Sequence, residues 1–258
     1  MRLQLLSDLH LETEAYEPQP APGAEALVLA GDIDATWEGL ACFADWPVPV
    51  LMVAGNHEFD QRELHEAWPA LRARCEALGI RLLQRESLVL ADRAGRRVRF
   101  LGAVRWCDFD LFGTAQRERC LRAGRYFQRV MQARRGSAPF DAEAVREEGL
   151  ACRAWLEGAL RSAPEGGPVD ATVVITHFGP SLRSADPRYG RQAGTASFCN
   201  ADDDLLPLAD LWIHGHLHCR HDYRHALGSR TTRVICNARG HSHRGESEGY
   251  DGTLCLDI

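Results

Sequence analysis

Short, predominantly apolar runs recur along the chain, and each gives way to a polar block. They occupy residues 3–6 before Ser7-Asp8, 26–30 before Gly31-Asp32, 49–54 before Gly55-Asn56-His57, 171–176 before His177, and 211–213 before His214-Gly215-His216. Runs that are apolar nearly throughout, rather than alternating, predict strands covered on both faces, as in α/β and layered mixed folds. Ligands in such sheets collect outside the carboxyl ends of the strands, which is where the polar blocks fall.

Helical spacing predicts helices over 36–45, 60–78, 114–134 and 141–162, with Asp60 and Asp141 as N-caps and Gly79 as a C-cap. Residues 81–105 read as two or three further strands, with a hairpin-like turn at Asp92-Arg93-Ala94-Gly95. Strands near 222–227, 232–237 and 253–258 make the C-terminal part mainly β. The loosest stretches, 14–24 and 163–170, are loop-length. Candidate ligands lie on both sides of the second, so the reading is one domain over 1–258 with inserted helices.

Composition adds exclusions. With 258 residues, 45% hydrophobic and 26% charged, the chain has the make-up of a globular protein, which removes disorder, collagen and coiled coil from consideration. No apolar run approaches the roughly 20 residues that cross a bilayer, and Asp8 interrupts the N-terminus before a signal-peptide core could form. A cytoplasmic protein without a membrane partner is expected. The nine cysteines are scattered with no Cys-x-x-Cys pair, which fits free thiols better than a thiolate zinc site. All 30 basic residues are Arg, and the net charge of −6 disfavours a long nucleic acid as partner.

The polar blocks carry the chemistry: Asp8-Leu9-His10, Gly31-Asp32, Gly55-Asn56-His57-Glu58, His177, and Gly215-His216-Leu217-His218. Carboxylates, imidazoles and an Asn carbonyl form an oxygen and nitrogen donor set without sulfur, which suits Mn, Fe, Zn or Co. Seven such donors exceed what one ion needs and match two ions sharing one carboxylate.

In their order and spacing these blocks resemble the calcineurin-like metallophosphoesterase superfamily, whose signature runs Asp-x-His, Gly-Asp, Gly-Asn-His-Asp/Glu, His, Gly-His-x-His; the residues around His177 and the run Cys236-Asn237-Ala238-Arg239-Gly240 are similar to a bacterial metallophosphoesterase branch. The resemblance implies an α/β, four-layer fold in which two mixed β-sheets pack as a sandwich flanked by helices. It implies that Asp8, His10 and His218 hold one divalent metal, that Asn56, His177 and His216 hold the other, and that Asp32 bridges them, with manganese placed first and iron, zinc or cobalt as alternatives. A hydroxide between the ions would attack phosphorus, while Asn56 and His57 contact the substrate and His57 protonates the leaving group. The expected substrate is a small phosphomonoester or phosphodiester. The rivals are a nuclease or protein phosphatase with the same dinuclear site, and a non-catalytic scaffold of the same fold.

Several assignments stay open at this level. Many superfamily members carry an acidic or amide residue where this chain has Ala35, so Asp34, Glu58 or a backbone carbonyl is expected to orient His57. Arg105, Arg183, Arg188 and Arg239 are candidate phosphate grips, and Phe198-Cys199-Asn200 is a candidate lid over the substrate. His214 reads equally as a packed or supporting imidazole and as a direct ligand, and is left out of the metal set, while His221, His225, His241 and His243 read as solvated loop residues. Asp202-Asp203-Asp204 reads as a solvated helix start, and Trp106, Trp155 and Trp212 as core.

Overall fold

The computed structural model describes all residues, 1–258. Thirteen strands and four α-helices follow in chain order: β1 (Arg2–Leu6), β2 (Ala26–Ala30), β3 (Val50–Val53), α1 (Leu64–Ala77), β4 (Ile80–Leu82), β5 (Glu86–Ala91), β6 (Arg97–Gly102), α2 (Arg117–Gly124), α3 (Tyr126–Met131), β7 (Arg134–Arg135), β8 (Ala138–Pro139), α4 (Ala142–Arg161), β9 (Ala171–Ile175), β10 (Leu211–His214), β11 (His221–Leu227), β12 (Arg230–Cys236) and β13 (Cys255–Asp257). One sheet runs β13-β1-β2-β3-β4 and a second runs β11-β12-β10-β9-β6-β5, with β7 and β8 forming a small separate pair. In both large sheets the inner strands are parallel. The antiparallel members lie at edges: β13 on β1, β11 on β12 and β5 on β6.

The period-2 geometry of a strand explains the layering. Leu3, Leu5, Val28, Leu51 and Val53 of the first sheet meet Phe100, Val173, Ile175, Leu211 and Ile213 of the second in one buried cluster. The intervening residues Leu27, Leu29, Val50 and Met52 face outward into a core that includes Leu64, Leu71 and Cys75 of α1. On the far face of the second sheet, Leu101, Val174, Trp212 and Val234 pack on Leu156 of α4. Helix, sheet, sheet and helix give the four-layer α/β arrangement expected for the superfamily. Trp106 and Trp212 are fully buried core residues.

The five strands that precede chemical blocks are present, with ends within one residue of expectation. The helices differ more. Residues 36–45 contain only the 3-10 turn Gly39–Phe43, because the Asp34 carboxylate accepts from the backbone N–H groups of Thr36, Trp37 and Gly39 and curls the chain before a helix can start. The expected helix over 114–134 is divided into α2 and α3. It begins at Arg117 after a 3-10 turn and ends where Gln132 turns left-handed at φ 50°. Helix α1 starts at Leu64 because Glu63, not Asp60, accepts from the Glu66 N–H. Asp141 does cap α4, accepting from Ala144 at 3.1 Å, and Gly79 follows α1 at φ +71°. Residues 163–170 lead from α4 into β9, whose neighbours β6 and β10 come from either side of that segment. No helix is long and apolar enough to cross a membrane.

Candidate metal centre

The two sheets present the carboxyl ends of β1, β2 and β3 next to those of β9 and β10. Asp8, Asp32 and Asn56 thus leave one sheet, and His177, His216 and His218 leave the other, at a common edge. A hydrogen bond sews the sheets together there: His177 Nδ1 meets the Ala30 carbonyl at 2.8 Å. Asp8, Asp32, His10, His216 and His218 all adopt positive φ, between 48° and 72°. For side chains with a Cβ this conformation is strained, and its concentration at one place marks a site the surrounding fold holds in position. Gly55 and Gly215 allow the close approach. A Cβ on Gly55 would run into Asp32, and one on Gly215 would overlap Ser7 and lie 2.5 Å from Asp8 Oδ2.

The donor atoms gather in overlapping triads. Asp8, His10 and Asp32 bring one ligand atom each within 4.8 Å of one another, as do Asp32, His177 and His216, so that Asp32 belongs to both. A third triad joins His10, His218 and His241. Asn56 places its Oδ1 in a buried position with no hydrogen-bond partner, and His177 Nε2 is likewise buried without a hydrogen bond, at ion-pair distance (3.1 Å) from Asp32 Oδ2. Orphaned atoms of this kind are costly unless something absent from the protein atoms engages them.

The histidine pair supplies a second test. His10 Nδ1 faces Glu12 at 3.1 Å and His218 Nδ1 faces Glu246 at 2.6 Å, arrangements that place an N–H on each Nδ1. Both Nε2 atoms then carry lone pairs, and they confront each other at 3.0 Å. A cation between them removes that repulsion, so the donor set fits divalent metal ions of the type that accept imidazole and carboxylate. His216 Nε2 meets the Ser197 carbonyl at 3.2 Å, which leaves its Nδ1 as the free donor. Burial, aided by His177, holds the His216 imidazole well below its usual value and therefore neutral, as a ligand must be. Burial also opposes an ionised Asp32, but His177 and His57 outweigh it and hold the carboxyl well below the usual carboxylate range.

His57 differs from its neighbours. Its backbone N–H donates to Asp32 Oδ1 at 2.8 Å, and its Nδ1 lies 2.7 Å from Asp60 Oδ2, so the Nε2 edge is left for the cavity that His57 lines. Burial, the largest single influence, would lower the imidazole pKa, but Asp32, Asp60 and Glu58 together raise it to about 10. The expectation that Asp34 or Glu58 orients His57 is therefore corrected. Asp34 is spent on its own turn, and Glu58 is buried and accepts from the N–H groups of Asp32, Ile33 and Gly55, at 3.1, 2.8 and 2.7 Å, which clamps two strand-end loops together. In the linear sequence Asp60, three residues on from His57, reads as a helix N-cap, which conceals this role.

Other assignments change as well. Arg105 is no phosphate grip: it is fully buried and ion-paired with Asp202 and Asp108. Asp202 is correspondingly not a solvated helix start. Arg239 pairs with Glu14 at 3.0 Å and Arg183 lies over Tyr223, leaving Arg188 as the sequence candidate that lines the cavity. Arg188 is also bound to Asp186, whereas Arg244, which the sequence did not single out, lines the cavity without an acidic partner. The lid is not free to move as a unit. Cys199 and Asn200 are buried, and Asn200 is pinned by Asp108 N–H and the Arg105 carbonyl, each at 3.1 Å, so only Phe198 faces the cavity. His241, expected in a solvated loop, has its ring 4.4 Å from that of His10 and lines the cavity. His214 is held by Ser184 and the Gly215 carbonyl, away from the donor cluster, and His221, His225 and His243 bond elsewhere. The cavity over the donors measures about 470 Å³.

A four-layer sandwich carrying this donor set at one edge defines a metal-dependent phosphoesterase. The chain belongs to the calcineurin-like phosphoesterase family, whose model matches residues 1–220. Among solved structures it is similar to the phosphopantetheinyl hydrolase PptH from Mycobacterium tuberculosis, with TM-score 0.68 and 17% identity over 96% of this chain and 92% of that one. It also matches Thermus thermophilus sulfate thiohydrolase SoxB in complex with glycerol, at TM-score 0.36 and 15% identity over 83% of this chain and 33% of that one. No curated protein matches the chain in sequence.

Proposed function

We propose that the protein hydrolyses a small phosphomonoester or phosphodiester at a centre of two divalent metal ions. Asp8, His10 and His218 would hold one ion, Asn56, His177 and His216 the other, and Asp32 both, with Mn, Fe, Zn or Co as occupants. The observation that carries the reading is Asp32: one carboxylate completes two donor triads, Asp8–His10 and His177–His216, which a single-ion site has no use for. Bound cations of this kind neutralise phosphoryl oxygens and make a water acidic enough to act as nucleophile at neutral pH.

The chain's own groups supply the rest. Asp60 holds Nδ1 of His57, which fixes the ring and leaves Nε2–H as a proton donor toward a departing alkoxide. Glu58 keeps the Asp32 and Asn56 loops in register. A cavity of about 470 Å³ suits a small molecule rather than a polymer groove, and the net charge of −6 speaks in the same direction. Similarity to a protein described as a phosphopantetheinyl hydrolase is in keeping with a phosphorylated organic molecule as substrate. Intact donors at every block favour an enzyme over a scaffold.

The test is a metal-reconstituted assay on p-nitrophenyl phosphate, bis(p-nitrophenyl) phosphate and cyclic nucleotides. Turnover should vanish with a chelator and in Asp32→Asn, which should also bind fewer metal equivalents. Undiminished turnover or full metal content in that variant would remove the bridging role.

A further inference from the structure

Four aromatic rings stand side by side on one wall of the cavity. Tyr126 stacks on Phe127 at 4.8 Å between centroids, with planes 22° apart, and Phe198 stacks on His216 at 4.8 Å and 28°. The two stacks run nearly parallel: Tyr126 and Phe198 are 6.0 Å and 15° apart, and Phe127 and His216 are 6.4 Å and 10° apart. Phe127 and His216 are buried and form the inner layer, whereas Tyr126 and Phe198 are only partly buried and line the cavity. The outer pair is thus a two-ring shelf, and it starts one ring's thickness from His216, a residue assigned above to the metal centre. Exposed Val130 and Tyr189 continue the apolar surface at the mouth.

We propose that this shelf selects phosphoesters whose organic group carries a flat aromatic ring close to the phosphorus, the ring stacking on Tyr126 and Phe198 while the phosphoryl group occupies the metal centre. The inference rests on the phosphoesterase reading and adds the substrate class. Its physical basis is that aromatic faces gain from offset stacking beyond the burial of area, and that rings already packed in parallel lose little conformational freedom on binding. A flexible aliphatic chain would gain only area. Because the inner ring of one stack is a candidate ligand, the phosphoryl group and the aromatic group are held in fixed relation.

The test uses non-hydrolysable probes, so that binding is read without turnover. Calorimetry on manganese-reconstituted protein should show phenylphosphonate binding about fivefold tighter than methylphosphonate, the middle of the range that one aromatic contact contributes. Phe198→Leu and Tyr126→Leu should each erase most of that preference, read as the ratio of phenylphosphonate to methylphosphonate affinity within the same variant, and Phe198→Tyr, which keeps the ring, should retain it. Thermal melting of each variant confirms folding. Equal affinity for the two phosphonates, or tighter binding of an alkyl chain, in protein that hydrolyses p-nitrophenyl phosphate overturns the shelf and leaves the phosphoesterase reading intact. Failure to bind either phosphonate, together with failure to hydrolyse any phosphoester, overturns both.

Discussion

Arg105 offers the sharpest separation between a substrate contact and a structural ion pair. Its side chain is wholly buried, and its N–H groups make five hydrogen bonds of 2.8 to 3.0 Å: a bidentate pair to Asp202, one to Asp108, and one each to the carbonyls of Trp106 and Gly149. Asp202 is just as buried and receives a further contact from Arg153. In Asp202→Asn, one carboxylate oxygen becomes an amide facing an N–H donor, and the guanidinium keeps only Asp108 as counter-charge. Breaking a buried pair on one side costs about 3–5 kcal/mol. At roughly 2.1 cal/mol/K of unfolding entropy per residue, a chain of 258 residues has about 0.5 kcal/mol/K, so Tm should fall by roughly 6–9 °C. Differential scanning calorimetry reads the shift directly, and KM for p-nitrophenyl phosphate measured below the transition should stay close to wild type. Arg105→Lys, which cannot reproduce the bidentate fork, should lower Tm in the same way. A raised KM at unchanged Tm in either variant would refute the burial argument and restore Arg105 as a phosphate contact.

Asp60→Asn retains an acceptor for His57 but removes its charge; the lost charge assistance of about 1 kcal/mol lowers kcat roughly five- to tenfold, and more for an alkyl ester than for a p-nitrophenyl ester, whose leaving group needs little protonation. Comparing kcat for the two esters checks this, and an equal loss on both counts against His57 as proton donor. Gly215→Ala puts a methyl group against Ser7 and Asp8, an overpacking expected to cost about 1–3 kcal/mol and to reduce bound metal; elemental analysis and thermal melting measure both, and full occupancy with wild-type melting would show that the approach is looser than the geometry indicates.

The chain's linear pattern determined the strands and the donors. Runs such as Ala26–Ala30 and Val50–Val53 are apolar at every position because both faces of each sheet are covered, and that continuity is visible without coordinates. Asp8, Asp32, Asn56, His177 and His216 were identifiable because each sits two or three residues beyond a strand end, in the loop that leaves the sheet edge. Only the tertiary structure decided which polar groups face one another across elements. Asp60 could cap a helix or hold His57, Arg105 could grip phosphate or bury itself against Asp202, and His241 could lie in water or beside His10; each alternative uses the same residue type at the same spacing. The physical reason is that strand formation depends on neighbours along the chain, whereas the partner of a charge depends on distances set by the packing of two sheets, and no local pattern encodes those distances.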